Sequence, residues 1–114
     1  MGSLSNYDKS ETDNYGPITI NKETMSIRVY GKDVSLKAKE FKLFMYLFEN
    51  RNKIVTKEQL FYNVWGDYNF SDGTLNVHIR KLREKIEEVP NDPQIIKTIW
   101  GTGYMLECIE DACK

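Results

Sequence analysis

The sequence predicts a single α+β domain, and three observations predict it. Short β-branched runs with period-two alternation occupy residues 18 to 36, and segments of helical periodicity follow between residues 38 and 88. Two further short apolar runs, Ile95 to Trp100 and Tyr104 to Ile109, then flank Gly101-Thr102-Gly103. A chain of 114 residues has room for one core and little more. With 40% hydrophobic and 29% charged residues it is globular in composition, which excludes a wholly disordered, collagen-like or disulfide-scaffold chain.

Residues 1 to 15, rich in Ser, Asn and Asp, read as a tag remnant at residues 1 to 3 followed by a linker or flexible tail. Neither a basic start nor an apolar stretch is present there, and no apolar run approaches the roughly 20 residues that span a bilayer. A cytoplasmic protein without membrane attachment is therefore expected. The folded domain is expected over residues 16 to 110, with 111 to 114 as a C-terminal tail. Ile18-Thr19-Ile20, Met25 to Tyr30 and Asp33 to Leu36, broken by Asn21-Lys22-Glu23 and Gly31-Lys32, predict a small antiparallel meander.

At Ala38 the period changes. Phe41, Phe44, Met45 and Phe48 recur at helical spacing with Leu43 and Leu47 beside them, so a first helix runs to about Asn50. Lys37 is a poor N-cap, although Glu40 suits the first turn. Thr56-Lys57-Glu58-Gln59 has the capping-box pattern and opens a second helix of nine or ten residues that Gly66 ends. The third helix, capped by Ser71 or Asp72, stops before Pro90. Its Leu75, Ile79, Leu82 and Ile86 share one face and meet the core, whereas Thr74, Val77 and Lys81 lie opposite. Arg80 and Lys85 flank that outer face, and Arg83 lies nearer the core boundary. The two glycines after Trp100 predict a hairpin tip with positive φ angles.

Enzymatic chemistry finds little support. There is no Gly-rich phosphate loop, no nucleophile elbow and no histidine pair, so no catalytic residue and no cofactor is expected. Cys108 and Cys113, with His78 far from both in sequence, do not form a metal-ligand pattern and read as reduced thiols. The net charge of −1 conceals a division: residues 1 to 15 and 107 to 114 each carry −2, which leaves +3 on residues 16 to 106. A basic centre permits a polyanionic partner without requiring one. The third helix suits a DNA major groove, because Lys81 can donate to guanine and Thr74 and Val77 can meet a thymine methyl while Arg80, Arg83 and Lys85 meet phosphates. It equally suits a solvated amphipathic helix with pairs such as Arg80 with Glu84 and Arg83 with Glu87. On that helix alone the two readings are even.

Two short helices, a cationic third helix and a Gly-x-Gly hairpin together describe a winged helix-turn-helix. The residues that carry the resemblance are Leu36, Glu40-Phe41 and Leu43; Val55 to Leu60 and Val64-Trp65-Gly66; Val77 to Lys85; and Ile96 to Tyr104. Over residues 16 to 108 the chain resembles the DNA-binding effector domain of OmpR/PhoB-type response regulators. The resemblance implies a four-stranded N-terminal sheet, and so one further strand near Tyr15 or within the meander. It implies Thr74, Val77 and Lys81 near bases, His78, Arg80 and Arg83 near the backbone, and Lys57 and Trp65 near phosphate from the second helix. The wing, with Thr98, Trp100, Gly101 and Thr102, would approach the minor groove. The loop Gly66, Asp67, Tyr68, Asn69, Phe70, Ser71 and Asp72 matches a segment that touches RNA polymerase.

The same resemblance implies double-stranded DNA as partner, tandem pairing on direct repeats about 10 base pairs apart, and an upstream receiver domain phosphorylated by a sensor histidine kinase. That receiver has no place in these residues, and a fragment with a surviving linker is the favoured reading over a stand-alone binder. Three departures stand out: Gly73 replaces the usual Arg before the third helix's Thr, Trp100 replaces the usual Arg of the wing, and Asn76 stands where Asp is frequent. The rival from another class is a winged-helix protein-interaction module without significant DNA affinity. RNA is a weaker reading, since the A-form major groove is too narrow for a helix.

Overall fold

A computed structural model describes residues 12–15, 18–67 and 69–107. Four strands, β1 (Thr12–Tyr15), β2 (Ile18–Asn21), β3 (Ser26–Val29) and β4 (Lys32–Ser35), pair antiparallel in chain order. Three helices follow, α1 (Ala38–Glu49), α2 (Lys57–Trp65) and α3 (Asp72–Ile86), with the two-residue strand β5 (Val55–Thr56) before α2. A hairpin of β6 (Ile96–Ile99) and β7 (Gly103–Leu106) joins β5 in a second sheet ordered β5-β7-β6. This is the α+β winged helix-turn-helix that the residues predict.

The N-terminal sheet begins four residues earlier than the expected start at Gly16. Thr12 to Tyr15, assigned to the tail by their polar composition, pair with Asn21 to Ile18. An edge strand is held by one backbone ladder, so it leaves no apolar alternation to read. The β3–β4 connection is also displaced by one residue: Val29 faces Lys32, and Tyr30 (φ 52°) with Gly31 (φ 78°) makes the two-residue loop. Two consecutive positive φ angles suit the right-handed twist of the hairpin. At the β2–β3 turn the Asn21 side chain accepts from the N–H groups of Glu23 and Thr24.

Alternate residues of the sheet, Ile18, Ile20, Ile27, Val29 and Val34, are buried in one core with Leu43, Phe44 and Leu47 of α1 and Leu60, Phe61 and Val64 of α2. Leu75, Ile79, Leu82 and Ile86 of α3 enter the same core, as their spacing requires, together with Ile96, Tyr104 and Leu106 of the hairpin. The helix starts differ in detail from the sequence patterns. Lys37 contributes its backbone N–H to the Glu40 carboxylate at 3.0 Å. At α2 only half of the capping box forms: Thr56 Oγ1 accepts from Gln59 N–H, while the Gln59 amide turns away to donate to the Tyr46 hydroxyl. Gly66 ends α2 at φ 70° and donates to Tyr62 O.

Glu40 is buried, and Lys85 reaches it from α3 with Nζ 2.6 Å from Oε1. Burial pushes the Glu40 carboxyl up, but the Lys85 ammonium and the Lys37 N–H outweigh it and hold the group below its ordinary value of 4.5. The unfolded chain therefore binds the proton first. Stability from this pair is fully present above the unfolded value and lost as pH falls through the folded one. Lys85→Ala, which leaves the carboxylate buried alone, is expected to cost about 1 to 2 kcal/mol at neutral pH and to converge with wild type as pH falls, so that its acid limb is shallower. Urea titrations from about pH 3 to 7 measure both effects, and an unchanged acid limb would show that the pair is not responsible.

Candidate nucleic-acid interface

Helix α3 starts on Ser71, whose Oγ accepts from Thr74 N–H and donates to Thr74 Oγ1. The cap engages Thr74, which is half-buried, and leaves Val77, Arg80 and Lys81 as the exposed outer face. Gly73 has open space around it, so no close approach requires glycine there. The N-terminus of α2, the adjacent side of α3 and the hairpin enclose a groove of about 340 Å³. Lys57, Arg80, Thr98, Trp100 and Gly101 all line it. Five positions from three separated parts of the sequence thus meet on one surface.

The hairpin is fastened to α3 from positions i, i+7 and i+11 of one polar stripe. Tyr104 Oη donates to Asn76 Oδ1 at 2.8 Å, and Asn76 Nδ2 donates to Asp72 Oδ2. Arg80 borders Thr98 and Trp100 in the groove. Arg83 donates through Nε and Nη2 to Ile96 O and through Nη2 to Thr98 Oγ1, with its guanidinium 5.7 Å from the Tyr104 ring centroid. Glu87, buried just beyond α3, accepts the N–H groups of Gln94, Ile95 and Ile96. Burial lowers the Arg83 pKa and raises that of Tyr104, so the phenol is a neutral donor at physiological pH.

At the hairpin's other edge Gly103 pairs with Thr56. A Cβ on Gly103 would lie 1.9 Å from Val55 O, and the glycine has no positive φ. Of the two tip glycines, therefore, Gly101 (φ 78°) supplies the left-handed turn and Gly103 the close approach of strands. Trp100 sits beside Gly101 with 89% of its surface exposed. It does not lie against its own domain.

Several expected site residues have other partners. Lys85 is held by Glu40 in a separate groove bordered by Val29, Lys32 and Val34, away from the outer face. His78 Nδ1 lies 2.9 Å from Thr74 O, which makes that nitrogen the proton donor, and its ring meets the Trp65 edge-on at 4.9 Å. Trp65 stacks on Phe61 at 4.7 Å, with Lys39 Nζ 5.7 Å from its ring centroid. Both aromatics brace α2 against α3. Lys57 forms an ion pair with Asp72 at 3.3 Å, and its backbone N–H donates to Thr102 O.

In the loop before α3, Asp67 accepts from Asn69 N–H, Phe70 meets Phe61 edge-on, Ser71 caps and Asp72 binds Lys57 and Asn76. Asp67 and Asn69 are exposed; Tyr68 lies outside the described residues, as do Cys108 and Cys113. Among the described residues no helix is long and apolar enough to cross a membrane. Asn76, Glu87 and Tyr104 were not among the expected site residues. Their signal was the polar stripe Asn76, Arg80, Arg83, Glu87, which lies between the core face and the outer face of one helix.

Residues 31–106 match the family described as "Transcriptional regulatory protein, C terminal". The regulatory protein VanRc of Enterococcus gallinarum is 46% identical over 80 residues, 69% of this chain and 35% of that protein. VanR of Enterococcus faecium is 41% identical over 92 residues, 79% of this chain and 40% of that protein. The chain thus spans about two-fifths of the length of these relatives. Among solved structures, the response regulator DrrB of Thermotoga maritima, an OmpR/PhoB homologue, superposes with TM-score 0.75 at 35% identity over 91% of this chain and 48% of that one. The DNA-binding domain of Klebsiella pneumoniae RstA, in complex with the RstA box, superposes with TM-score 0.76 at 26% identity over 85% of this chain and 97% of that one. On the sequence match and the winged-helix architecture alike, the chain belongs to the C-terminal effector domains of OmpR/PhoB-type response regulators, a family of transcription regulators and not of enzymes.

Proposed function

We propose that this domain binds double-stranded DNA sequence-specifically, as the cytoplasmic effector of a two-component response regulator. One observation carries the reading: Lys57, Arg80 and the hairpin tip line a single groove beside the exposed, cationic outer face of α3. A helix with this outer face fits the major groove, where Val77 and Lys81 meet base edges and Thr74 stands at the N-terminal end. Lys57 and Arg80 meet phosphates on either side, and the hairpin is the wing at the adjacent minor groove. The resemblance of the RstA domain, which is bound to its box, supports this reading. Arg83, His78, Trp65 and Lys85 then act by holding the reading surface in shape.

Binding as a tandem pair on direct repeats one helical turn apart places successive α3 helices on one side of the duplex. Among the described residues of the α2–α3 loop, Asp67 and Asn69 are exposed and are the side chains we assign to contact with RNA polymerase. Control by a receiver domain, phosphorylated by a sensor histidine kinase, belongs to the same reading; the chain spans about two-fifths of its relatives' length, which leaves room for such a domain.

Selection from a randomised duplex pool at low and moderate salt tests the reading. Enrichment of a direct repeat with helical-turn spacing is the expected outcome. The exposed Trp100 favours a second reading, a protein-interaction module. Salt separates them, because phosphate contacts release counterions and weaken steeply with ionic strength while an apolar interface does not. Lys81→Ala is expected to cost about 1 to 3 kcal/mol of binding and to relax preference at one base pair. A uniform loss on all sequences, measured by competition, would reassign Lys81 to phosphate.

A further inference from the structure

We propose that Trp100 is an aromatic wedge, which makes the wing select a flexible pyrimidine–purine step in the flanking minor groove. The inference rests on the DNA-binding reading and adds a determinant of sequence preference to it. Thr102 N–H donates to Ile99 O at 3.0 Å and Gly101 has φ 78°, so Ile99 to Thr102 form a turn whose third residue is left-handed. Trp100 occupies the second position, at the apex. Its exposure of 89% is the largest of any exposed large apolar residue among those described; the next, Tyr30, is 61% exposed. Burying an indole of this size removes much apolar surface from water, so the free tip is poised to gain by contact.

The tip also lacks the usual alternative chemistry. Thr98 to Gly103 contain no Lys or Arg, and Lys97 at the base of the hairpin is paired with Glu107 at 2.9 Å. A guanidinium in a minor groove is drawn to the concentrated negative potential of a narrow A-tract. An indole has no charge to respond to that potential; it offers a flat apolar face and one N–H donor. Apolar side chains enter a minor groove by wedging between base pairs, which partly unstacks them and bends the duplex. Unstacking is easiest at TA and CA steps and hardest in stiff A-tracts. Arg80, in the same groove as Trp100, holds a phosphate against which the wedge pushes on that reading, and Lys57, also there, does so on leaving Asp72. Arg83 and Asn76 hold the base of the hairpin, so the load falls on the duplex and not on a hinge.

The test uses the 114-residue chain and duplexes carrying the direct repeat it selects, identical except for a TA, CA or AA step at the wing position. Wild type is expected to prefer TA and CA over AA by roughly tenfold, with a bend detected by end-to-end energy transfer. Trp100→Ala loses the preference, and Trp100→Arg reverses it. Acrylamide quenching, with the Trp65 contribution taken from Trp100→Phe, reports whether the Trp100 indole is shielded in the complex. An indole still quenchable in a complex that forms normally, with equal flank preference in wild type and Trp100→Ala, overturns the wedge and leaves DNA binding standing. Shielding that appears only when two copies are bound, without flank preference, overturns it in favour of a contact between copies. Failure to retain any duplex overturns both readings.

Discussion

Glu87→Ala is expected to lower the stability of the domain by about 3 kcal/mol and the midpoint of thermal unfolding by roughly 15 °C. The carboxylate is buried and its two oxygens together accept three successive backbone N–H groups, from Gln94, Ile95 and Ile96, at 2.8 to 3.2 Å. Alanine removes the acceptor and leaves those donors facing a cavity where water is the only replacement partner. Each such buried donor costs about 1 to 3 kcal/mol when wholly unmet, and partial rehydration reduces the sum. Glu87→Gln keeps one oxygen but brings an NH2 group against N–H donors, so an intermediate loss is expected. The fall extends to function: Ile96 begins β6, so a loosened Gln94 to Ile96 segment shifts the wing. DNA affinity of Glu87→Gln, measured well below its unfolding temperature, is expected to fall while its far-ultraviolet circular dichroism stays native. Unchanged affinity would show that the carboxylate stabilises the fold without placing the wing.

Gly103→Ala is expected to be of similar size, about 3 kcal/mol, through a different cause. The added methyl would lie 1.9 Å from Val55 O and 2.8 Å from Thr56 Cα, and both neighbours are backbone atoms that no rotamer change can move aside. Strand β5 must then leave β7, which breaks the pairing of Val55 with Tyr104 and of Thr56 with Gly103. Because Thr56 also caps α2, the start of that helix is drawn into the damage. Gly101→Ala is the informative companion: its Cβ meets open space, so only the strain of φ 78° is expected, about 1 kcal/mol. Chemical denaturation of the two variants side by side separates steric contact from backbone strain. Equal losses would mean that the close approach of β5 to β7 does not constrain residue 103.

Much of this was readable from residues whose spacing obeys one rule. Leu75, Ile79, Leu82 and Ile86 announce the buried face of α3, and Thr56 and Gly66 mark the ends of α2, because periodicity and capping are local properties. What escaped was non-local. β5 is two residues long and exists only because β7 pairs with it, and β1, held by backbone pairing that composition does not encode, was expected near Tyr15 only through the family resemblance. Within the site, Val77 and Lys81 of the outer face and Arg80 beside it are exposed as the helical wheel places them, whereas Thr74 is half-buried. Arg83 and Lys85, equally cationic in sequence, are drawn to Ile96 O and to Glu40, 13 and 45 residues away. A wheel gives the direction of a side chain; it does not say whether a partner from elsewhere is waiting there.

The polar stripe of α3 gives the domain a fixed gauge. Asn76, Arg83 and Glu87 grip the hairpin at Tyr104, at Ile96 with Thr98, and at the N–H groups of residues 94 to 96, so the helix and the wing tip form two jaws of one caliper with no slack between them. On a duplex, each added base pair between the two contact points turns the second through roughly 34° about the axis. A caliper that cannot open must refuse that register or make the duplex twist to meet it. On the proposed docking, selectivity for spacing is expected as a mechanical property of these intramolecular hydrogen bonds.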